Sequence, residues 1–204
     1  MYTRRFPAAA IAVAAALSLG ACSADADDAA SAPETAPAGT EAAADAAVHN
    51  AADTRFAQMM IVHHEGAVEM AELAIERADT DEVRALGERI AAAQGPEIAM
   101  MSGWLTAWGE DQPADADMSG MGHESMEMDG MYKENVMDDL TALAGPDFDR
   151  RFLELMIDHH RGAIEMGEEQ RGEGENGEAL RLAGTIIDDQ MAEITEMTNL
   201  LNAR

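Results

Sequence analysis

From about residue 51 onward, apolar residues recur at intervals of three and four, the spacing of one face of a helix. Aromatic and β-branched runs of strand character are few. Asp53 is suited to open a first helix that runs to about Ala78. Asp79-Thr80-Asp81 then supplies a turn and a new cap, and a second helix ends near Trp108. After the Gly145-Pro146 break a third helix starts at Asp147 or Asp149. Gly172, Gly174 and Gly177 end it, and a fourth runs from about Glu178 to Asn202. Each pair of helices forms a hairpin with a short turn. Two hairpins that bury their apolar faces against one another predict an all-α, antiparallel four-helix bundle.

The pattern occurs twice. Met60-Ile61-Val62-His63-His64-Glu65-Gly66-Ala67-Val68-Glu69-Met70 returns 96 positions later as Met156-Ile157-Asp158-His159-His160-Arg161-Gly162-Ala163-Ile164-Glu165-Met166. Both copies are preceded by D-x-R-F, and at the same offset Glu82, Leu86, Ile90, Gln94, Glu97, Ile98, Met101 and Leu105 match Glu178, Leu182, Ile186, Gln190, Glu193, Ile194, Met197 and Leu201. Two copies are too few for a solenoid. The simpler organisation is one duplicated domain over residues 51–204, with repeats at about 53–108 and 147–204 and a connecting segment at about 109–146.

The stretch ahead of that domain differs in character. Arg4 and Arg5 followed by the apolar run Ala8 to Leu19 predict an export signal over residues 1–21, too short to span a bilayer as a stable helix. Leu19-Gly20-Ala21-Cys22 resembles the bacterial lipobox, in which the cysteine carries lipid, so Cys22 is the predicted lipidation site and the membrane is touched only through that lipid. It is the single cysteine, which excludes an intrachain disulfide and a zinc–thiolate cluster. Residues 22–50, poor in anything apolar larger than Ala, read as a disordered tether with a reach of roughly 30 Å, and His49 within it as incidental. A net charge of −27 excludes nucleic acid as a partner, since phosphate binding relies on Lys and Arg, and it favours cations.

The chemistry is concentrated in the repeat. Phe56, Met60, His63, His64, Ala67, Met70, Ala71 and Ala74 share one helical stripe, which turns both histidines inward with thioethers within reach on each side. Met156, His159, His160 and Met166 repeat the arrangement. Gly66-Ala67 and Gly162-Ala163 leave room for a facing helix, and Gln94 and Gln190, set in apolar stripes, need partners: a histidine ring nitrogen or a backbone group. Imidazole beside thioether suits a soft ion. Cu(I) is the preferred ligand, with Ag(I) and Cu(II) as alternatives; zinc and calcium favour donors other than thioether. The Gly- and Asp-rich connecting segment adds Met118, Met121, His123, Met126 and Met128 as a second, weaker set of donors. Met59, Met100, Met101, Met197, Trp104 and Trp108 read as packing residues.

The paired M-x-x-H-H-x-G-A-x-E-M segments, each opened by D-x-R-F, resemble the bacterial domain-of-unknown-function 305 family over residues 51–204. The resemblance implies a ferritin-like bundle, an exported location and binding of Cu(I) or Ag(I) by Met60, His63, His64, Met70, Met156, His159, His160 and Met166, in copper tolerance. A copper-delivery partner and a homo-oligomer are both compatible with it. Enzyme readings fare worse. A di-iron oxidase needs Glu-x-x-His pairs, and no histidine here has Glu three places before it. A zincin needs H-E-x-x-H, and Val68 stands where the second histidine belongs. Asp158-His159-His160 resembles a phosphoesterase string, but Val62 replaces the acid in the first copy. The remaining alternative is a non-enzymatic envelope scaffold with structural histidines.

Overall fold

The computed structural model describes residues 48–114 and 133–203. The expected export signal, Cys22, and Met118, Met121, His123, Met126 and Met128 lie outside them. Five helices are present among the described residues: α1 (Ala51–Arg77), α2 (Asp81–Trp108), α3 (Lys133–Thr141), α4 (Pro146–Glu173) and α5 (Gly177–Asn202). The four long ones are those expected. The short α3 was not anticipated; it sets Leu140 into the core with Val136, Met137 and Leu143 against it, and Arg77 donates to the carbonyls of Thr141 and Leu143.

Helix α1 pairs with α2, α4 pairs with α5, and the two hairpins meet through α1 and α4. Arg89 on α2 and Glu196 on α5 form an ion pair that joins the second helices. Two apolar clusters fill the interior. One combines the late part of α1 and the early part of α2 with the start of α4 and Met197; the other combines the early part of α1 and the late part of α2 with the end of α4 and the start of α5. This exchange of beginnings with ends is what an antiparallel, pseudo-twofold bundle requires. The histidine segments fall between the two clusters.

The helix starts differ from expectation in an informative way. Asn50, not Asp53, caps α1: its side chain accepts from Ala52 and Asp53 N–H, and Asp53 returns a bond from Asn50 N–H as a capping box. Asp53 and Asp149 are both fully buried. Asp149 accepts from the N–H groups of Asp79 and Thr80 and from the Thr80 hydroxyl, in the turn of the first hairpin. Asp53 accepts from the N–H groups of Glu175 and Asn176, in the turn of the second. Gly174 follows the last residue of α4, as expected of the glycines there, and it covers the Gln170–Asp53 hydrogen bond so closely that a Cβ would lie 2.7 Å from Asp53 Oδ1.

Within each hairpin the helices touch through one Gly/Ala pair. A Cβ on Gly87 of α2 would lie 2.9 Å from the carbonyl oxygen of Ala71 on α1. In the second hairpin the roles are exchanged: Gly167, the counterpart of Ala71, faces the carbonyl of Ala183, the counterpart of Gly87, at 3.2 Å. One missing methyl per pair lets the backbones close, whichever helix omits it.

Candidate metal centre

Each residue of the predicted stripe on α1 is buried, and so are Met156, His159, His160 and Met166 on α4. Antiparallel packing brings the two histidine pairs to one level. The rings of His63 and His159, equivalent residues of the two repeats, lie 3.6 Å apart between centroids and inclined by 41°. They meet where the pseudo-twofold axis passes between α1 and α4. His63 and His64 are 6.4 Å apart, as successive residues on a helix should be.

The thioethers flank this layer in pairs drawn from both repeats. Met60 and Met166 belong to one apolar cluster, and Met70 and Met156 to the other.

Burial controls the charge of the central pair. It pushes the His159 ring down to about 3, helped by repulsion from His160 and His64 and opposed by a hydrogen bond to the His63 backbone. His63 is lowered well below its ordinary value, again by burial first and then by His159, His64 and His160. Both rings are therefore neutral near pH 7, the form that donates a lone pair to a metal.

The outer histidines have a different environment. His64 Nε2 lies 2.7 Å from Glu97 Oε2 on α2, and His160 Nε2 lies 2.6 Å from Glu193 Oε2 on α5. These glutamates were matched in the repeat without being assigned a role, whereas Gln94 and Gln190 were expected to bond either a ring nitrogen or a backbone group. Neither amide reaches a ring. Both glutamines are buried, and Gln94 Nε2 and Oε1 and Gln190 Oε1 have no hydrogen-bond partner among the described residues. The same holds for Nδ1 of His63, His64, His159 and His160. Four imidazole lone pairs or N–H groups without partners in one layer is an unusual density of unmet polar atoms, and it fits a bound group. No three His, Cys, Asp or Glu side chains among the described residues form a ready cation cage.

Residues 53–201 match the family model described as Domain of unknown function (DUF305). The chain belongs to the DUF305 family. Among solved structures it resembles a DUF305 protein from Streptomyces coelicolor, described as secreted, with 37% identity, a TM-score of 0.67, and 74% of this chain and 91% of that one covered. A DUF305 fragment from Deinococcus radiodurans has 30% identity, a TM-score of 0.67 and coverage of 76% and 98%. CopM in its Cu(II)-bound form has 33% identity, a TM-score of 0.62 and coverage of 74% and 96%; CopM is also known in Cu(I)-bound and Ag-bound forms. No curated protein matches. The DUF305 fold thus includes a protein that holds copper and silver.

Two residues outside the layer depart from expectation. Met100, read as core filler, is 48% exposed on α2. His49 is not incidental: its ring stacks on Trp108 at 4.5 Å and 6°, and Nε2 faces Glu110. Beside it lies an open cavity of about 400 Å³ lined by His49, Asn50, Ala51, Thr54, Arg55, Gln58 and Glu110, which contains no part of the histidine layer.

Proposed function

We propose that this DUF305 protein binds copper, preferentially Cu(I), between α1 and α4, and sequesters it or hands it on in the cell envelope. The donors are His63, His64, His159 and His160 with Met60, Met70, Met156 and Met166. The observation that carries this reading is the buried layer of four imidazoles whose Nδ1 atoms lack partners among the described residues, bordered by methionine pairs. Neutral nitrogen and thioether donors match a soft, monovalent ion, and the kinship with CopM supports copper or silver. Met118, Met121, His123, Met126 and Met128 form a weaker, labile site. The domain spans 51–204 and is exported by residues 1–21 and held by lipid on Cys22 through the tether 22–50; the secreted description of the Streptomyces relative supports export. The role is that of a binder, not a catalyst, in keeping with the missing Glu-x-x-His and H-E-x-x-H patterns.

Competition between the purified protein and a chromophoric Cu(I) chelator tests the reading. The wild type should withdraw copper, and the variant with all four histidines changed to Ala should lose the tight sites while keeping its helical circular dichroism. A second reading, a scaffold with structural histidines, is favoured by the His64–Glu97 and His160–Glu193 bonds, which already satisfy one nitrogen of each ring. It requires that wild type and variant compete equally poorly.

A further inference from the structure

The two histidine–glutamate bonds fix which ring atom faces the interior. A carboxylate oxygen has only lone pairs to offer, so the nitrogen 2.7 Å from Glu97 Oε2 must carry the hydrogen; so must the one 2.6 Å from Glu193 Oε2. A neutral imidazole has one N–H. With it on Nε2, the lone pair resides on Nδ1, and Nδ1 is the atom left buried and without a partner among the described residues in both His64 and His160.

We propose that Glu97 and Glu193 are positioning residues that hold His64 and His160 as Nε2–H tautomers and so make Nδ1 the copper- or silver-ligating atom of each. This rests on the copper reading above and goes beyond it by assigning the ligating atom and the residues that select it. The arrangement is equivalent in the two repeats, with both rings fully buried and both glutamates mostly so, at 17% and 22% exposure. The carboxylates therefore straddle the boundary between solvent and core. There they increase the electron density of the ring and supply negative charge for a cation whose direct donors are all neutral. Gln94 and Gln190 cannot substitute, because neither makes a hydrogen bond to a ring. Glu97 of α2 and Glu193 of α5 also both act on Asp189 of α5. After burial, they are the largest influences raising the Asp189 carboxyl above its ordinary value, followed by Asp188.

The test uses the full-length protein and its E97Q, E193Q and E97Q/E193Q variants. Long-range ¹H–¹⁵N NMR of the metal-free wild type should show Nε2–H tautomers at His64 and His160. Addition of Ag(I) should shift Nδ1 of both and leave the Nε2–H signals in place. In chelator competition the double variant should lose about 10–100-fold in Cu(I) affinity, the usual effect of removing a group that orients a metal-bound histidine. E97D/E193D should recover part of that loss. A silver-induced shift at Nε2, or an affinity unchanged in E97Q/E193Q, overturns the assignment while the copper reading stands, provided the histidine-to-alanine variant has lost its sites. If the wild type binds neither ion, both fail together.

Discussion

Asp53 and Asp149, equivalent residues of the two repeats, each cap the turn of the opposite hairpin. Each turn thus takes a buried carboxylate from the other hairpin in addition to its own local bonds. The exchange joins the two halves at both ends of the bundle, and it keeps α1 and α4 in the register that sets His63 against His159.

Asp53→Ala should destabilise the metal-free domain by about 3 kcal/mol, because it strands the buried Asn176 N–H and Gln170 amide and the part-buried Glu175 N–H. For a domain of this size that is roughly a 10 °C loss in Tm by differential scanning calorimetry. Asp149→Ala should cost a similar amount at the other end. The two sites lie at opposite ends of the bundle, so the double variant should show the sum of the two costs to within about 0.5 kcal/mol. A strongly non-additive result would mean that the two ends do not open independently.

Much of this architecture is legible in the sequence, because a helical stripe with one apolar face has few ways to be buried. Phe56, Met60, His63, His64, Ala67, Met70, Ala71 and Ala74 are inside as their spacing requires. What periodicity does not specify is where a polar side chain at the edge of the stripe points. Asp53 and Asp149 read as local caps; Asp53 does complete the capping box of α1, but both also bind the turn of the opposite hairpin. Glu97, one turn beyond Gln94, gains no role from the pattern alone, yet its mostly buried side chain reaches the ring that the glutamine does not. The clue was its recurrence as Glu193 at the offset of the histidines. Helix α3 was hidden for another reason: its core contribution rests on Leu140 within a short, acidic stretch, too little for a periodic pattern.

The Gly/Ala pairs predict a contrast among glycine variants. Gly87→Ala would place a methyl 2.9 Å from the Ala71 carbonyl, and Gly167→Ala would place one 2.9 Å from Ile187 Cγ1 and 3.2 Å from the Ala183 carbonyl. Each should cost about 1–3 kcal/mol through forced separation of the helices, more than the gain in helix propensity returns. Gly66→Ala meets only His159 Nε2, at 3.5 Å, an ordinary contact. Urea denaturation should find that variant within about 1 kcal/mol of wild type.

Stability of the metal-free domain should fall on acidification through the range set by the central histidines. An unfolded chain protonates His159 near 6.5, while the folded chain resists until about 3. Between those values the unfolded state binds more protons, so stability is retained above pH 6.5 and is lost as the pH falls, by up to about 1.4 kcal/mol per pH unit for this residue. His63 is shifted in the same direction and adds to the slope. Urea midpoints from pH 7 to pH 4.5 should therefore fall more steeply for wild type than for His63→Gln/His159→Gln. Equal slopes would show that the rings are protonated in the folded state.

The pairing of methionines across the axis makes stoichiometry a test of how the donors are divided. Met60 and Met166 lie in one cluster, Met70 and Met156 in the other, so the pseudo-twofold predicts two equivalent coordination sets on either side of the histidine layer. Leucine matches methionine in volume and lacks the sulfur, so Met60→Leu/Met166→Leu should keep the fold to within about 1.5 kcal/mol. With the Met-rich segment 115–132 deleted to remove its own donors, the variant should bind half as much Cu(I) as its parent in chelator competition. Met70→Leu/Met156→Leu should give the same half. Loss of all tight binding in either pair would instead mean that one ion sits on the axis between His63 and His159 and draws on sulfur from both clusters.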